Sequence, residues 1–109
     1  DQSAPRVEFV TDGMTDTGYF QLHCNHYSNA GGNLGECKLV ISGTSFNGSA
    51  FSATSPIARA TTSAANGYVN MNIAWGVALP AGQYTVKPSV RVNAGTGVFE
   101  LTMSGIIAL

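Results

Sequence analysis

The sequence predicts an all-β fold, a single-domain antiparallel β-sandwich, and three observations carry that expectation. Apolar residues recur at every second position over most of the chain. Clusters of Gly, Pro, Asn and Ser interrupt the alternation at short intervals. No window of useful length sustains the i, i+3, i+4, i+7 spacing of an amphipathic helix. Side chains of a strand point to opposite faces in turn, so a period of two is the signature of half-buried sheet. A chain of 109 residues has room for one hydrophobic core, and the domain is taken to span residues 1–109.

Taken in order, Arg6 to Thr11 reads as a short strand, and Phe20, Leu22 and Cys24 share the face of the next. The Asn- and Gly-rich stretch from Asn25 to Gly35 reads as a long hairpin loop leading to Cys37, Leu39 and Ile41. Ser45 to Ala53 and Ile57 to Thr61 are shorter candidates. The clearest strand carries Val69, Met71, Ile73, Trp75, Val77 and Leu79, with small or polar residues between them. Pro80-Ala81-Gly82 punctuates the chain, and the alternation resumes with Tyr84, Val86, Pro88, Val90 and Val92. Proline cannot donate to a ladder, so Pro88 marks an edge or a bulge. A turn over Asn93 to Gly97 leads into Phe99, Leu101 and Met103. Seven to ten short strands in so short a chain mean a sandwich or a barrel.

Charged residues make up 10% of the chain, well below the usual quarter, and the formal net charge is -1. Such a chain has no overall field to attract a polyanion, so nucleic acid is not an expected partner. No apolar run approaches the ~20 residues of a membrane-spanning helix, so membrane insertion is not expected. The polar start, Asp1 to Pro5, is read as the beginning of a mature product or of a fragment. The apolar end, Gly105 to Leu109, is expected to dock in the core or in a partner subunit.

Cys24 and Cys37 flank the proposed loop, each on its strand's apolar face. If the two strands pair as a hairpin, a disulfide across the ladder is one reading and two buried thiols the other. Zinc needs four converging ligands, and His23 and Cys24 are adjacent in a strand and point apart, so a His23, Cys24, His26, Cys37 site is disfavoured. Asp12 and Asp16, in a turn-rich segment, are the closest acidic pair, but Asp12-Gly13 is first a turn signal. There is no Gly-x-Ser-x-Gly elbow and no phosphate loop opening a helix. The expectation is a non-enzymatic protein without cofactor or metal. Asn47-Gly48-Ser49 fits a glycosylation acceptor, and Asn-Gly between Phe46 and Phe51 is also a hairpin turn.

The run WGVALPAGQYTV from Trp75 to Val86, followed by RVNAGTGVFELTMSGIIAL from Arg91 to Leu109, resembles the last strands of C1q/TNF-like jelly rolls and of phage or viral fibre and spike heads built on that plan. Leu79, Ala81, Gly82, Tyr84 and Val86 match the family's turn-and-strand pattern, and Leu101 to Leu109 its closing strand. The first 60 residues carry no such likeness. The resemblance implies a homotrimer packed about a common axis, with Trp75, Tyr84, Phe99, Ile106 and Ile107 as interface candidates. It implies a head domain at the virion surface or outside the cell that binds a host surface glycan or protein. In that reading His26, Tyr27 and Asn29 are the ligand candidates, presented on the 25–35 loop. The alternatives are a secreted carbohydrate-binding or adhesin-type sandwich, in which Tyr19 or Tyr68 stacks on sugar rings, and a capsid decoration protein.

Overall fold

The computed structural model describes residues 6–28, 34–61, 67–92 and 97–108, apart from the side chains of residues 7, 12–16, 28, 97, 107 and 108. Six strands account for almost all of it: β1 (Val7–Ser28), β2 (Leu34–Ser45), β3 (Ala50–Thr54), β4 (Ala58–Thr61), β5 (Gly67–Val92) and β6 (Gly97–Ala108). All pairings are antiparallel, in the order β3-β2-β5-β1-β6, with β4 also on β2. The fold is all-β, as the alternation predicts.

The two long strands make the architecture. At ~3.3 Å per residue, 26 residues of straight strand would reach about 86 Å. The longest dimension of the molecule is 49 Å, so β5 cannot be straight. It bends at Pro80-Ala81-Gly82, and the buried face changes parity there: Met71, Ile73 and Leu79 point inward before the bend, Tyr84, Val86 and Pro88 after it. β1 changes parity at the same level, where its register on β5 jumps between Thr11 and Thr15. Phe9 and Thr11 face inward on one side of the jump, Phe20, Leu22, Cys24 and His26 on the other. A bulge bends its strand in this way. The bend is stapled by the Pro80 carbonyl, which accepts from Thr11 Oγ1 (3.0 Å) and from the Tyr84 hydroxyl (2.5 Å).

Each long strand therefore serves two layers. Layer A holds β5 before the bend, β1 after the bulge, and β6 at its edge. Layer B holds the start of β1, β5 after the bend, and β2 with β3 and β4. Their inward faces form one core, with Phe20, Leu22, Cys24, Met71, Ile73 and Leu79 from layer A against Cys37, Leu39, Ile41, Tyr84 and Val86 from layer B. Phe20 joins the layers, its ring 5.7 Å from Phe9 and 6.3 Å from Trp75. At the far end the His26 ring lies under Gly35, where a Cβ would sit 2.5 Å from a ring carbon. Only glycine admits that approach.

Three sequence expectations change. Asn25 to Gly35 is not a loop throughout, because β1 continues to Ser28 and β2 begins at Leu34. β1 and β2 are not a hairpin pair; β5 lies between them in the sheet order, and β1 beyond its bulge faces β2 from the opposite layer. Ser45 to Ala53 is not one strand, because Ser45 closes β2 and the turn through Gly48 (φ 93°) precedes β3. Pro88 lies beyond the last β1–β5 partners, Val7 and Val86, so at that level the described β5 has a ladder to β2 alone. That is an edge position, as expected of proline. The 93–97 turn falls largely outside the described residues.

Candidate functional site

The outward faces of the two layers differ in chemistry. On layer A the outward positions of β1 are Tyr19, Gln21, His23, Asn25 and Tyr27; their β5 partners are Gly76, Ala74, Asn72, Asn70 and Tyr68. The β6 partners are Ile106, Ser104, Thr102, Glu100 and Val98. These three-residue rows make a flat face with large groups at both ends and amides, hydroxyls and one imidazole between. Tyr19 (53% exposed), Tyr68 (66%), Val98 (52%) and Ile106 (69%) stand open to solvent. Tyr27 packs its ring 5.1 Å from that of Tyr68. His23 Nδ1 lies 2.6 Å from Asn72 Oδ1, and Asn25 Oδ1 is buried without a hydrogen-bond partner. Glu100 is the one formal charge among these residues.

On layer B the centre of the outer face is Glu36, its side chain only 9% exposed. Arg59 Nε donates to its Oε2 at 2.7 Å, and Arg91 donates to its Oε1 from Nη2 at 2.5 Å and from Nε at 3.1 Å. The register dictates this cluster, because Glu36 is the Cα partner of Arg59 on β4 and of Arg91 on β5. The two guanidinium groups, Arg59 first, hold the Glu36 carboxyl below its ordinary range. A depression of about 190 Å³ lies beside them.

The residues singled out from sequence are distributed as follows. His26 is in β1 rather than on a loop, and its ring is fully buried, stacked on Phe99 at 4.6 Å. Its position parity with Phe20 and Leu22 points it inward, so it cannot meet an external ligand. Tyr27 is also in β1, on the outer face of layer A, and Asn29 lies outside the described residues. Tyr84 is core (3% exposed), and Trp75 and Phe99 are half-buried against it. Burial of Tyr84 corrects its placement at an interface to the core of its own chain, whereas Trp75 and Phe99 pack on that core and keep part of their surface open. Ile106 is exposed as that placement requires; Ile107 pairs with Gly18 in the β1–β6 ladder, and its side chain is outside the description.

Cys24 and Cys37 are free thiols, buried, and meet across the core from opposite layers instead of across a hairpin. The hydrogen bond to Cys37, then burial, pushes Cys24 up; the same bond pulls Cys37 down. His23 and Cys24 do point apart, and no group of three His, Cys, Asp or Glu converges among the described residues. The side chains of Asp12 and Asp16 lie outside the description. Asn47 Oδ1 accepts from Ser45 Oγ and, at 2.9 Å, from Ser49 N, so this amide organises the turn.

Sequence reasoning missed the Glu36, Arg59, Arg91 cluster. Its members are far apart in the chain, and only the pairing of β2 with both β4 and β5 brings them together. No protein-family model matches the chain, and no curated protein matches it.

Proposed function

We propose that the chain is the non-enzymatic head domain of a virion spike or fibre, on the C1q/TNF-like jelly-roll plan, that assembles as a homotrimer and attaches to a host-cell surface. The observation that carries this reading is the outer face of layer A. Subunit contacts are depleted of charge at their centre and enriched in aromatic residues. Among its described residues this face has a single carboxylate, and Tyr19, Tyr68, Val98 and Ile106 stand exposed on it. Unpartnered in water, such a group of apolar side chains favours association at about 25 cal/mol per Å² buried. Among the described strands β6 pairs with β1 alone, so its other edge adds a row of open backbone groups beside this face.

Sedimentation equilibrium tests the reading. The chain of 11.3 kDa is expected to sediment at three times that mass, and Ile106→Asp to lower it toward the single subunit. A wild-type mass of 11.3 kDa at tens of micromolar protein would remove the trimer. One observation favours a second reading: Tyr68 and Tyr27 stand side by side next to Asn70, Asn72 and His23, a set suited to sugar rings and hydroxyls. A monomer that loses glycan binding on Tyr68→Ala would select it.

A further inference from the structure

The net charge of -1 conceals a strong segregation. The chain has five Lys and Arg residues, and all five lie on the outer face of layer B. Arg59 stands on β4, Lys38 on β2, Lys87 and Arg91 on β5, and Arg6 immediately before β1, 3.7 Å from Glu8. Among the side chains described on that face the carboxylates are Glu8 and Glu36, so five positive charges stand against two negative, an excess of three among them. Lys38 is opposite Ser89, with Arg91 and Lys87 two positions to either side on the neighbouring strand. Diagonal neighbours of this kind are ~7–8 Å apart, close enough for like charges to repel. Neither Lys38 nor Lys87 has an ion-pair partner among the described residues.

Glu36 orients this face without quenching it. Arg59 uses only Nε and Arg91 only Nε and Nη2 on the carboxylate, and the two side chains remain 58% and 77% exposed. Both arginines line the 190 Å³ depression, together with Lys38, Ser89, Ile57 and Val90. A guanidinium held by a fixed carboxylate presents its remaining donors with less ordering cost than a free one.

We propose that this face binds a linear acidic polysaccharide, carboxylated or sulfated, whose anionic groups seat on Arg59, Arg91, Lys38 and Lys87. Charge complementarity requires a polyanion. The exposed hydroxyl of Ser89 between Lys87 and Arg91, with those of Thr54 in the row of Lys87 and of Ser42 and Ser52 in the next row, suits sugar hydroxyls. Proteins that hold single-stranded nucleic acid pair cations with aromatic rings for the bases. The exposed rings of this chain stand elsewhere: Tyr19 and Tyr68 on layer A, Phe46 in the turn after β2. The inference rests on the attachment reading and gives it a ligand class.

The test uses the intact chain on dextran sulfate, polygalacturonate and neutral dextran, at low and high salt. Binding to the first two and not to dextran is expected, weakening with salt as exposed charges are screened. Lys38→Gln with Lys87→Gln is expected to weaken it at least tenfold. Restoring the net charge in the distant turn with Ser49→Lys and Phe46→Lys is expected not to rescue it. Rescue by those two lysines, or equal binding to neutral dextran, would overturn the proposal. So would tighter binding to a single-stranded oligonucleotide than to either polysaccharide. Sedimentation of the same samples separates the outcomes: a trimer without polyanion binding fails this inference alone.

Discussion

Replacing Phe20 by alanine is the sharpest perturbation of the fold. The ring is 1% exposed, in contact distance of Phe9 from layer B and Trp75 from layer A, and its edges touch the places where Cβ atoms of Gly18 and Gly105 would be. Its removal deletes the aromatic bridge between layers and leaves a cavity that the long, bent strands around it cannot close. Phe→Ala in a core costs ~3–5 kcal/mol. A domain of this size has ~5–15 kcal/mol in all, so about a fifth or more of the stability is at stake. Urea unfolding at fixed protein concentration measures it. With a slope of ~1–3 kcal/mol per molar urea, the midpoint should fall by about 1 M or more. Phe46→Ala, at 61% exposure, should change stability by no more than ~0.5 kcal/mol. A Phe20→Ala loss as small as that of Phe46→Ala would refute the claim that the two layers share one core.

Three further outcomes follow from named contacts. Gly35→Ala should destabilise by ~1–3 kcal/mol, because its methyl meets the His26 ring at 2.5 Å; adding His26→Ala should recover part of that loss in the same urea assay. Tyr84→Phe removes the hydroxyl that donates to the Pro80 carbonyl at the bend and should cost ~0.5–1.5 kcal/mol, read as a lower thermal midpoint. Glu36 has a folded-state pKa below its ordinary 4.5, so the unfolded chain binds the extra proton. Its contribution is complete above about pH 4.5 and is lost as the pH falls from there through the lowered value. Unfolding midpoints taken from pH 6 downward should drop less steeply in Glu36→Gln than in the wild type, and parallel curves would contradict the Arg59–Glu36–Arg91 geometry.

The inward faces of individual strands were legible in the sequence. The inward sets Phe20, Leu22, Cys24 and Cys37, Leu39, Ile41 stand as the alternation predicts, and so does Met71 through Leu79, because a period of two is a local property. Pro80-Ala81-Gly82 was legible as an interruption. Its effect was not: the chain bends within a continuing strand instead of turning back, a distinction set by the partner β1 and its bulge. The pairing of β1 with β5 and β6, and of β2 with β5, was also hidden. Any two strands with compatible apolar faces satisfy the same pattern.

The candidate site suffered from the same gap. His26 looked like a loop residue because Asn and Gly cluster after it, yet its parity with Leu22 and Cys24 already placed it inward. Tyr84 looked like surplus apolar area because the core is built from two layers whose contacts the sequence does not display. The charge reading failed differently. Residues 6, 38, 59, 87 and 91 alternate with no run or motif, and a net charge of -1 averages over faces that only the register separates.

Hydroxyl-radical footprinting of the assembled chain probes the division of labour between the two faces most directly. Tyr19 and Tyr68 should be shielded relative to the Ile106→Asp variant, while Phe46, equally open in the single subunit, reacts alike in both. Equal labelling of the two tyrosines in wild type and variant would contradict the assignment of layer A to subunit contact.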